Sequence, residues 1–313
     1  MRPTRAPRGR GRIRRFGSVA GAVLVLAALT ACAESQVQLV NVPVIHAGKG
    51  EFTFDGYGPL SDRPIRVYYE APANPSTAQI LITMHGVGRN AEDYRADWTS
   101  QVNSRNVLVL APEFSERNFP GHEAYSLGNM GDDPAHIQPR DQWTFQIIEA
   151  LFDYVVHDVG GSARDYALFG HSAGAQFVHR FIEFMPGHRA RVAVAANPGW
   201  YTMPDDSVPF PYGLEGSPEH SADLGPAFAS NLILLLGGED TDPDDESLRH
   251  DARSDAQGKF RLERGTNFFR LAQRVAKSHS LPFQWKMQVV GGVAHDHTAM
   301  SAIAAPLLLG NGQ

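Results

Sequence analysis

One serine of the chain lies in a context that can make it a nucleophile. Ser172 has Gly170 and Gly174 two residues away on either side, and it follows an apolar run that begins at Tyr166. A strand that turns sharply into a helix lifts such a serine into the cleft above the strand ends. Glycine is needed at both flanking positions, because strand and helix approach too closely there for a β-carbon. The spacing therefore predicts a strand, a turn with an exposed serine, and a helix.

The residues after the turn support this prediction. The string G-x-S-x-G alone is a weak signal in a chain with 30 glycines. Apolar residues then recur at helical spacing, as expected for a helix that buries one face against a sheet; they are Phe177, Val178, Phe181, Ile182 and Met185. The motif therefore has the context that a nucleophilic serine requires.

A serine hydroxyl is a poor nucleophile at neutral pH, so it needs a base and a third group that orients this base. The predicted strand at 232–236 opens into G-G-E-D-T-D-P-D-D-E, where Asp240 is the preferred acid and Asp242 the alternative. The predicted strand at 283–290 opens into G-G-V-A-H-D-H, where His295 is the preferred base. The order serine, acid, histidine is the one used by hydrolases with such a serine turn.

Two patterns near these residues could instead indicate metal binding. His295 and His297 form a His-x-His pair, but the sequence identifies no third ligand. Asp240, Asp242 and Asp244 resemble the start of a calcium loop, but glycine at position six and glutamate at position twelve are missing. We therefore predict neither a metal nor a cofactor.

From residue 51 onwards, predicted strands and helices alternate. The runs 52–54 and 65–69 predict an opening antiparallel pair of strands. Further strands are predicted at 80–85, 107–110 and 192–196, and helices at 91–102, 143–156 and 268–276. This alternation predicts an α/β domain over 51–313, with a mostly parallel sheet of about eight strands flanked by helices.

Two long segments interrupt the alternation, at 114–140 and 198–230. Loops of this length inside a domain are usually functional or disordered, and ligands bind at the carboxyl ends of parallel strands. Trp200 and Tyr201 are therefore candidate walls of a substrate pocket, together with Phe210 and Tyr212. Alternatively, these aromatic residues only pin a long loop to the surface.

The N-terminus has the pattern of an export signal. Seven arginines and no acidic residue occur in positions 1–15, and the apolar run 19–29 follows. The sequence L-T-A-C ending at Cys32 resembles the lipoprotein box of bacteria, in which the cysteine is lipidated. We predict a signal peptide at 1–31, a tether at 32–50 and a membrane anchor in the cell envelope. The alternative is a plain secretory signal that is cleaved near Ala31.

Charge argues against a nucleic-acid partner. Removal of residues 1–31 and their seven arginines changes the formal charge from −6 to −6 − 7 = −13. An acidic body repels phosphate backbones, and no cluster of basic residues remains to bind them. The sequence therefore predicts no nucleic-acid binding.

These motifs together resemble the α/β-hydrolase superfamily over residues 51–313. The serine turn, the His-Gly loop at 85–86 and the order Ser172, Asp240, His295 carry the resemblance. The strings M-H-G-V-G-R-N-A-E-D-Y and F-G-H-S-A-G-A-Q-F look like bacterial hydrolases similar to poly(3-hydroxybutyrate) depolymerases and esterases. Asp240 also matches the G-x-x-D-x-x-P loop of such enzymes. The chain departs from them before His295, where the usual G-x-G-H has Ala294 in place of the second glycine.

The resemblance also implies an oxyanion hole made of backbone N–H groups. The residue after the nucleophile supplies one donor, Ala173, at the positive end of its helix. The loop H-G-V supplies the other, with Val87 preferred and Gly86 the alternative. His85 and His171 are less suited to be the base, because both belong to motifs whose side chains pack or orient the loop.

We therefore predict a serine hydrolase that cleaves a carboxylic ester in a small molecule or a polymer. Two alternatives stay open. The same residues can cleave amides, which would make the protein a peptidase or amidase. A hydrolase scaffold can also bind a ligand without catalysis, as a surface lipoprotein.

Overall fold

Eight strands form one sheet in the computed structural model, which describes residues 44–310. The strands are β1 (Gly48–Phe54), β2 (Ile65–Ala71), β3 (Gln79–Met84), β4 (Val107–Glu113), β5 (Tyr166–His171), β6 (Ala190–Ala196), β7 (Leu232–Gly237) and β8 (Lys286–Val290). Their order is β1-β2-β4-β3-β5-β6-β7-β8. The pairs β1–β2 and β2–β4 are antiparallel, and all other pairs are parallel. The predicted fold class and the opening antiparallel pair are confirmed.

Helices cover both faces of this sheet. They are α1 (Ala91–Ala96), α2 (Thr99–Ser104), α3 (Phe145–Asp158), α4 (Ala173–Phe184), α5 (Gly225–Ala229), α6 (Ala252–Asp255), α7 (Arg261–Ser278) and α8 (His297–Leu309). Within residues 44–310, no helix combines the length and apolar character that crossing a bilayer would need. The predicted signal peptide and Cys32 lie outside the described residues.

The sheet buries two separate apolar layers, because successive side chains of a strand point to opposite faces. In β3, Ile80 and Ile82 belong to one core, which also contains α3, α4 and α7. Leu81 belongs to the other core, together with Trp98 of the α1–α2 junction and Leu308 of α8. The inner strands β3 to β7 are therefore covered on both sides, which explains their continuous apolar sequences, whereas the edge strand β8 is largely exposed.

The predicted helix at 91–102 is wrong in one respect, since the segment forms two short helices. The break falls at Asp97 and Trp98. Trp98 is fully buried and packs edge-on against Phe169 of β5, with ring centroids 5.2 Å apart. This tertiary contact, together with the side-chain contacts of Asp97 described below, outweighs the helical propensity of the segment.

The predicted last strand at 283–290 begins later, at Lys286. Trp285 is buried, and its indole N–H donates to the Ala227 carbonyl oxygen at 2.7 Å. Trp285 therefore packs in the hydrophobic core and does not pair with a neighbouring strand. Helix α8 was not predicted, because its apolar residues are not confined to one face and because it includes Pro306.

The folded domain begins before the predicted boundary at residue 51. Ile45 is buried, and the backbone N–H groups of Val44 and Ile45 donate to the Asp158 carboxylate. Strand β1 starts at Gly48 and pairs with β2 along its whole length. Residues 48–50, the end of the predicted tether, therefore belong to the sheet. The residues just before them are also part of the fold, because Ile45 is buried and its backbone N–H bonds Asp158.

Candidate active site

Ser172 occupies a strained turn between β5 and α4 at the centre of the sheet. Its backbone angles are φ 57° and ψ −117°, a conformation that costs an L-residue on the order of 1–3 kcal/mol. Its N–H donates to the Ala196 carbonyl oxygen at 3.0 Å, and its own carbonyl accepts from Gln176 N–H. The strain is therefore held by β6 on one side and by α4 on the other.

The two glycines of the motif have the steric role that the sequence predicts. A β-carbon on Gly170 would lie 2.3 Å from the Gly174 carbonyl oxygen. A β-carbon on Gly174 would lie 2.2 Å from the Met84 carbonyl oxygen, at the end of β3. Neither contact is possible, so the turn needs glycine at both positions, and the end of β3 lies directly against the start of α4.

The structure brings the predicted acid and base together. The His295 Nδ1 atom lies 2.7 Å from the Asp240 Oδ2 atom, a short hydrogen bond. The Asp240 side chain is only 4% exposed, whereas the His295 side chain is 19% exposed. His295 is therefore held by a buried carboxylate and stays partly accessible to solvent. Asp242, the alternative acid, is exposed, and within the described part of the chain its carboxylate accepts only the Asp244 N–H.

His295 also lies near the serine turn. The ring centroids of His295 and His171 are 4.5 Å apart, and His171 is the residue before Ser172. The three predicted triad residues follow β5, β7 and β8, which share one parallel sheet. Their assignment as a catalytic triad stays a prediction.

Arg261 is a partner of this site that the sequence analysis missed. Its Nη1 donates to Asp240 Oδ1 at 3.1 Å, on the carboxylate oxygen that His295 does not use. Its Nη2 donates to Asp245 Oδ1 and to Ser247 Oγ, and the arginine side chain is 1% exposed. The hydrogen bond from Arg261, and then the one from Ser247, hold the pKa of the Asp245 carboxyl well below its usual range. One buried guanidinium thus ties the acid loop together.

The predicted oxyanion donors lie at the two segments that meet beside Ser172. A β-carbon on Gly86 would lie 3.8 Å from the Ser172 Cβ, so the His-Gly loop reaches the serine. Among residues 44–310, the N–H groups of Val87 and Ala173 have no hydrogen-bond acceptor. The Val87 side chain is exposed. Their role as an oxyanion hole stays a prediction.

His85 orients this loop rather than serving as a base. Its Nδ1–H donates to the Gly86 carbonyl oxygen at 2.9 Å, and its Nε2 accepts the Phe114 N–H at 3.0 Å. Burial, and then the nearby Arg89, lower the pKa of His85 to about 3. Both ring nitrogens of this neutral imidazole are occupied, so it has no free lone pair for a proton.

His171 is equally enclosed. Its Nδ1 lies 3.1 Å from the Tyr94 hydroxyl, and the side chain is buried. Burial, and then the neighbouring His295 and His297, hold the pKa of His171 well below its ordinary value. It therefore stays neutral and packs between the serine turn and the base.

His297 forms a second histidine–aspartate pair beside the first. Its Nδ1 lies 2.6 Å from Asp97 Oδ2, and its ring stacks on Tyr94 with centroids 4.5 Å apart. The hydrogen bond to Asp97 raises the pKa of His297. Because His295 and His297 bind different carboxylates, the His-x-His spacing does not form a shared ligand set here.

One group of potential metal ligands lies elsewhere among residues 44–310. Asp132, Asp133 and His136 have ligand atoms within 4.8 Å of one another. His136 Nδ1 bonds Asp133 Oδ2 at 2.6 Å, and the group is exposed. The arrangement is explained by this surface ion pair.

Trp200 and Tyr201 lie in the interior rather than on an open wall. The Trp200 ring is 4.7 Å from the Tyr212 ring, and the Arg180 guanidinium lies 4.2 Å above it. Tyr201 is fully buried and stacks on Phe268, with centroids 4.5 Å apart. Both side chains therefore anchor the long loop after β6, and a substrate contact for either stays a prediction.

The strand order, the serine turn and the loops after β7 and β8 define an α/β-hydrolase fold. No protein-family model matches the chain, and no curated protein matches it. Solved structures do match. Poly(aspartic acid) hydrolase-1 from Sphingomonas sp. KT-1 is 39% identical with a TM-score of 0.81, over 84% of this chain and 99% of that chain. The poly(3-hydroxybutyrate) depolymerase from Bordetella parapertussis is 30% identical with a TM-score of 0.80, over 88% of this chain and 94% of that chain.

A more distant match supports the fold alone. The S-formylglutathione hydrolase from Agrobacterium tumefaciens is 12% identical with a TM-score of 0.51, over 83% of this chain and 92% of that chain. The chain belongs to the α/β-hydrolase family and is a serine hydrolase of that type.

Proposed function

We propose that this protein is a carboxylic-ester hydrolase that works through an acyl-enzyme on Ser172, with His295 as base and Asp240 as the orienting acid. The observation that carries the proposal is the 2.7 Å contact between His295 Nδ1 and the buried Asp240. Because this contact uses Nδ1, the other ring nitrogen, Nε2, can act as the base for the Ser172 hydroxyl. His171, the residue before Ser172, has its ring centroid 4.5 Å from that of His295.

In the first half-reaction, His295 Nε2 takes the proton of the Ser172 hydroxyl as its oxygen attacks the ester carbonyl. Asp240 holds the imidazole with Nε2 facing the serine and stabilises the imidazolium that forms. The tetrahedral intermediate then expels the alcohol, which receives the proton from His295. The acyl group stays on Ser172.

The N–H groups of Val87 and Ala173 would receive the developing oxyanion. Neither N–H has another acceptor among residues 44–310, and Ala173 begins the twelve-residue helix α4, whose N-terminus carries partial positive charge. A donor set fixed in advance is worth about 2.7–4 kcal/mol per donor in the transition state. Water, deprotonated by His295, then attacks the acyl-enzyme and releases the acid.

The experiment is labelling of the protein with a fluorophosphonate probe, followed by mass spectrometry of the modified peptide and hydrolysis of short p-nitrophenyl esters. We expect an adduct on Ser172 that is lost in Ser172→Ala and His295→Ala. Persistent ester hydrolysis in Ser172→Ala would overturn the assignment. A folded protein that neither labels nor hydrolyses any activated ester would point to a ligand-binding scaffold.

A second candidate is an amide hydrolase that acts on an anionic polymer. Its support is the 39% identity with a poly(aspartic acid) hydrolase, whose named substrate is a polyamide with carboxylate groups. Charge opposes it, because the loop 239–246 beside the base contains six acidic residues, Asp240 among them. Kinetics on a p-nitrophenyl ester and its matched p-nitroanilide, alongside digestion of poly(aspartic acid) and poly(3-hydroxybutyrate), separate the two candidates.

We also propose that Cys32 carries a lipid anchor that attaches the protein to the cell envelope. The support is the basic and apolar sequence before it and the lipoprotein-like L-T-A-C. In a bacterial host, the full chain should incorporate labelled palmitate and sediment with membranes, and Cys32→Ser should do neither. Soluble export of the unaltered chain would indicate a plain secretory signal.

A further inference from the structure

Asn197 follows β6 directly and occupies an unusual backbone position. Its φ is 49°, in the left-handed region, which asparagine tolerates better than other residues with a side chain. The residue is 1% exposed. Its neighbour in the chain, Ala196, accepts the Ser172 N–H at 3.0 Å. The end of β6 is therefore already in contact with the serine turn.

The Asn197 side chain bonds the two other loops of the site at the same time. Its Oδ1 accepts the Gly237 N–H at 2.6 Å, at the start of the loop that carries Asp240. Its Nδ2–H donates to the Ala294 carbonyl oxygen at 3.0 Å, one residue before His295. One amide thus spans the acid loop and the base loop.

The two loops touch where Asn197 holds them. A β-carbon on Gly237 would lie 2.6 Å from the Val293 carbonyl oxygen and 3.2 Å from the Asn197 Nδ2 atom. Two backbone hydrogen bonds join the loops further on, from Gly238 N–H to the Val290 oxygen and from Glu239 N–H to the Val293 oxygen. Among these contacts, the bond from Asn197 to Ala294 is the only one made by a side chain to the residue next to His295.

We propose that Asn197 is a positioning residue, whose amide sets the alignment of His295 with Asp240 and, through Ala196, with Ser172. The inference rests on the proposed function of those three residues. Its physical basis is that the position needs a donor and an acceptor together. An amide supplies both, whereas a carboxylate of the same shape supplies only acceptors and would face the Ala294 oxygen with a repulsive charge.

Two variants separate the halves of this contact. Asn197→Asp keeps the shape and the acceptor for Gly237 N–H but loses the donor to Ala294. Asn197→Gly keeps the left-handed backbone and loses both bonds. Misplacement of a catalytic group by 1 Å can lower the rate about 10²-fold. We expect both variants to lower kcat by about 10-fold to 10²-fold, with little change in KM, and to shift the pH profile of kcat/KM.

Asn106 provides a control with the same backbone conformation at an exposed position. It also has a left-handed backbone, φ 50°, and its Nδ2–H donates to the Thr77 carbonyl oxygen at 3.1 Å, just before β4 and away from the three loops. Asn106→Asp and Asn106→Gly should change the melting temperature but leave kcat and the pH profile unaltered. If the Asn197 variants behave in the same way, Asn197 has only a structural role and the inference is wrong.

A spectroscopic measurement keeps this test independent of the substrate. The proton between His295 Nδ1 and Asp240 should give a low-field proton NMR signal, assigned by its loss in His295→Gln. We expect Asn197→Asp to shift or broaden that signal and the Asn106 variants to leave it unchanged. An unaltered signal in a folded Asn197→Asp protein would overturn the inference. An intact signal in a wild-type protein without hydrolytic activity would instead refute the proposed function alone.

Discussion

Two histidines two residues apart make nearly the same contact in this molecule, with different surroundings. His295 bonds Asp240 at 2.7 Å and His297 bonds Asp97 at 2.6 Å, each through Nδ1. Both carboxylate side chains are enclosed, with exposures of 4% and 6%. A histidine–aspartate hydrogen bond is therefore not by itself the signature of a catalytic base.

The other partners of each carboxylate separate the two pairs. The second carboxylate oxygen of Asp240 accepts a hydrogen bond from the buried Arg261. Asp97 instead accepts hydrogen bonds from hydroxyl groups in the first two turns of α8, from Thr298 at 2.8 Å and Ser301 at 3.4 Å. The first pair joins Arg261 and His295 beside the serine turn, while the second clamps the start of α8 to the α1–α2 junction.

The largest expected difference is in catalysis. In serine hydrolases that use a triad, replacing the aspartate by asparagine lowers kcat about 10⁴-fold, because the histidine takes the wrong tautomer. Asp240→Asn should therefore lower kcat by about 10³-fold to 10⁴-fold, and Asp97→Asn by less than about tenfold. Steady-state hydrolysis of a p-nitrophenyl ester measures both.

Asp242→Asn is the control for this prediction, because Asp242 is exposed and lies two residues from Asp240. It should keep nearly full activity. A loss of similar size in Asp97→Asn, or in Asp242→Asn, would show that Asp240 is not the acid that orients His295.

The next effect concerns the cation that only the first pair has. Arg261→Met would leave Asp240 buried without its counter-charge, and breaking a buried ion pair costs about 3–5 kcal/mol. We expect the free energy of unfolding in urea to fall by that amount and activity to fall with it. Arg261→Lys should recover part of both, and a methionine variant as stable as wild type would contradict the assignment.

A smaller loss is expected at the clamp. Asp97→Ala removes the acceptor of His297, Thr298 and Ser301, and unsatisfied polar groups cost about 1–3 kcal/mol. Urea denaturation should show a loss in that range, with kcat per folded molecule kept within about tenfold. A drop as large as that of Asp240→Asn would mean that the clamp also positions the base.

The contrast between the pairs also explains what the sequence could predict. Local patterns predict the serine turn with its two glycines and the loops after β7 and β8. Each of these features is encoded by a short run of consecutive residues. Asp97 is 200 residues from His297, and Asn197 is 97 residues from Ala294. No local spacing indicates such partners, so Arg261, Asp97 and Asn197 were missed.

The same limit applies to the elements. The helix predicted at 91–102 divides at Asp97, because the Asp97 carboxylate bonds side chains of α8, which lies at the other end of the sequence. Tyr201 has the aromatic character of a pocket wall, yet it is buried against Phe268 of α7. Residue type and position in a loop do not reveal which neighbour covers a side chain.

The smallest expected effect is a pH dependence of stability at His297. The hydrogen bond to Asp97 raises the pKa of His297, the charges of Asp97, Asp296 and Asp93 add to the shift, and burial limits it. A raised folded pKa means that the charged pair stabilises fully below the unfolded value of about 6.5. The contribution is lost as the pH rises through the folded value.

The melting temperature of wild type should therefore exceed that of His297→Gln most at pH 5.5–6, and the gap should narrow towards about pH 9. A gap that widens with pH would mean that His297 is held neutral, in which case the clamp and the pair of His295 and Asp240 would differ less than their surroundings indicate.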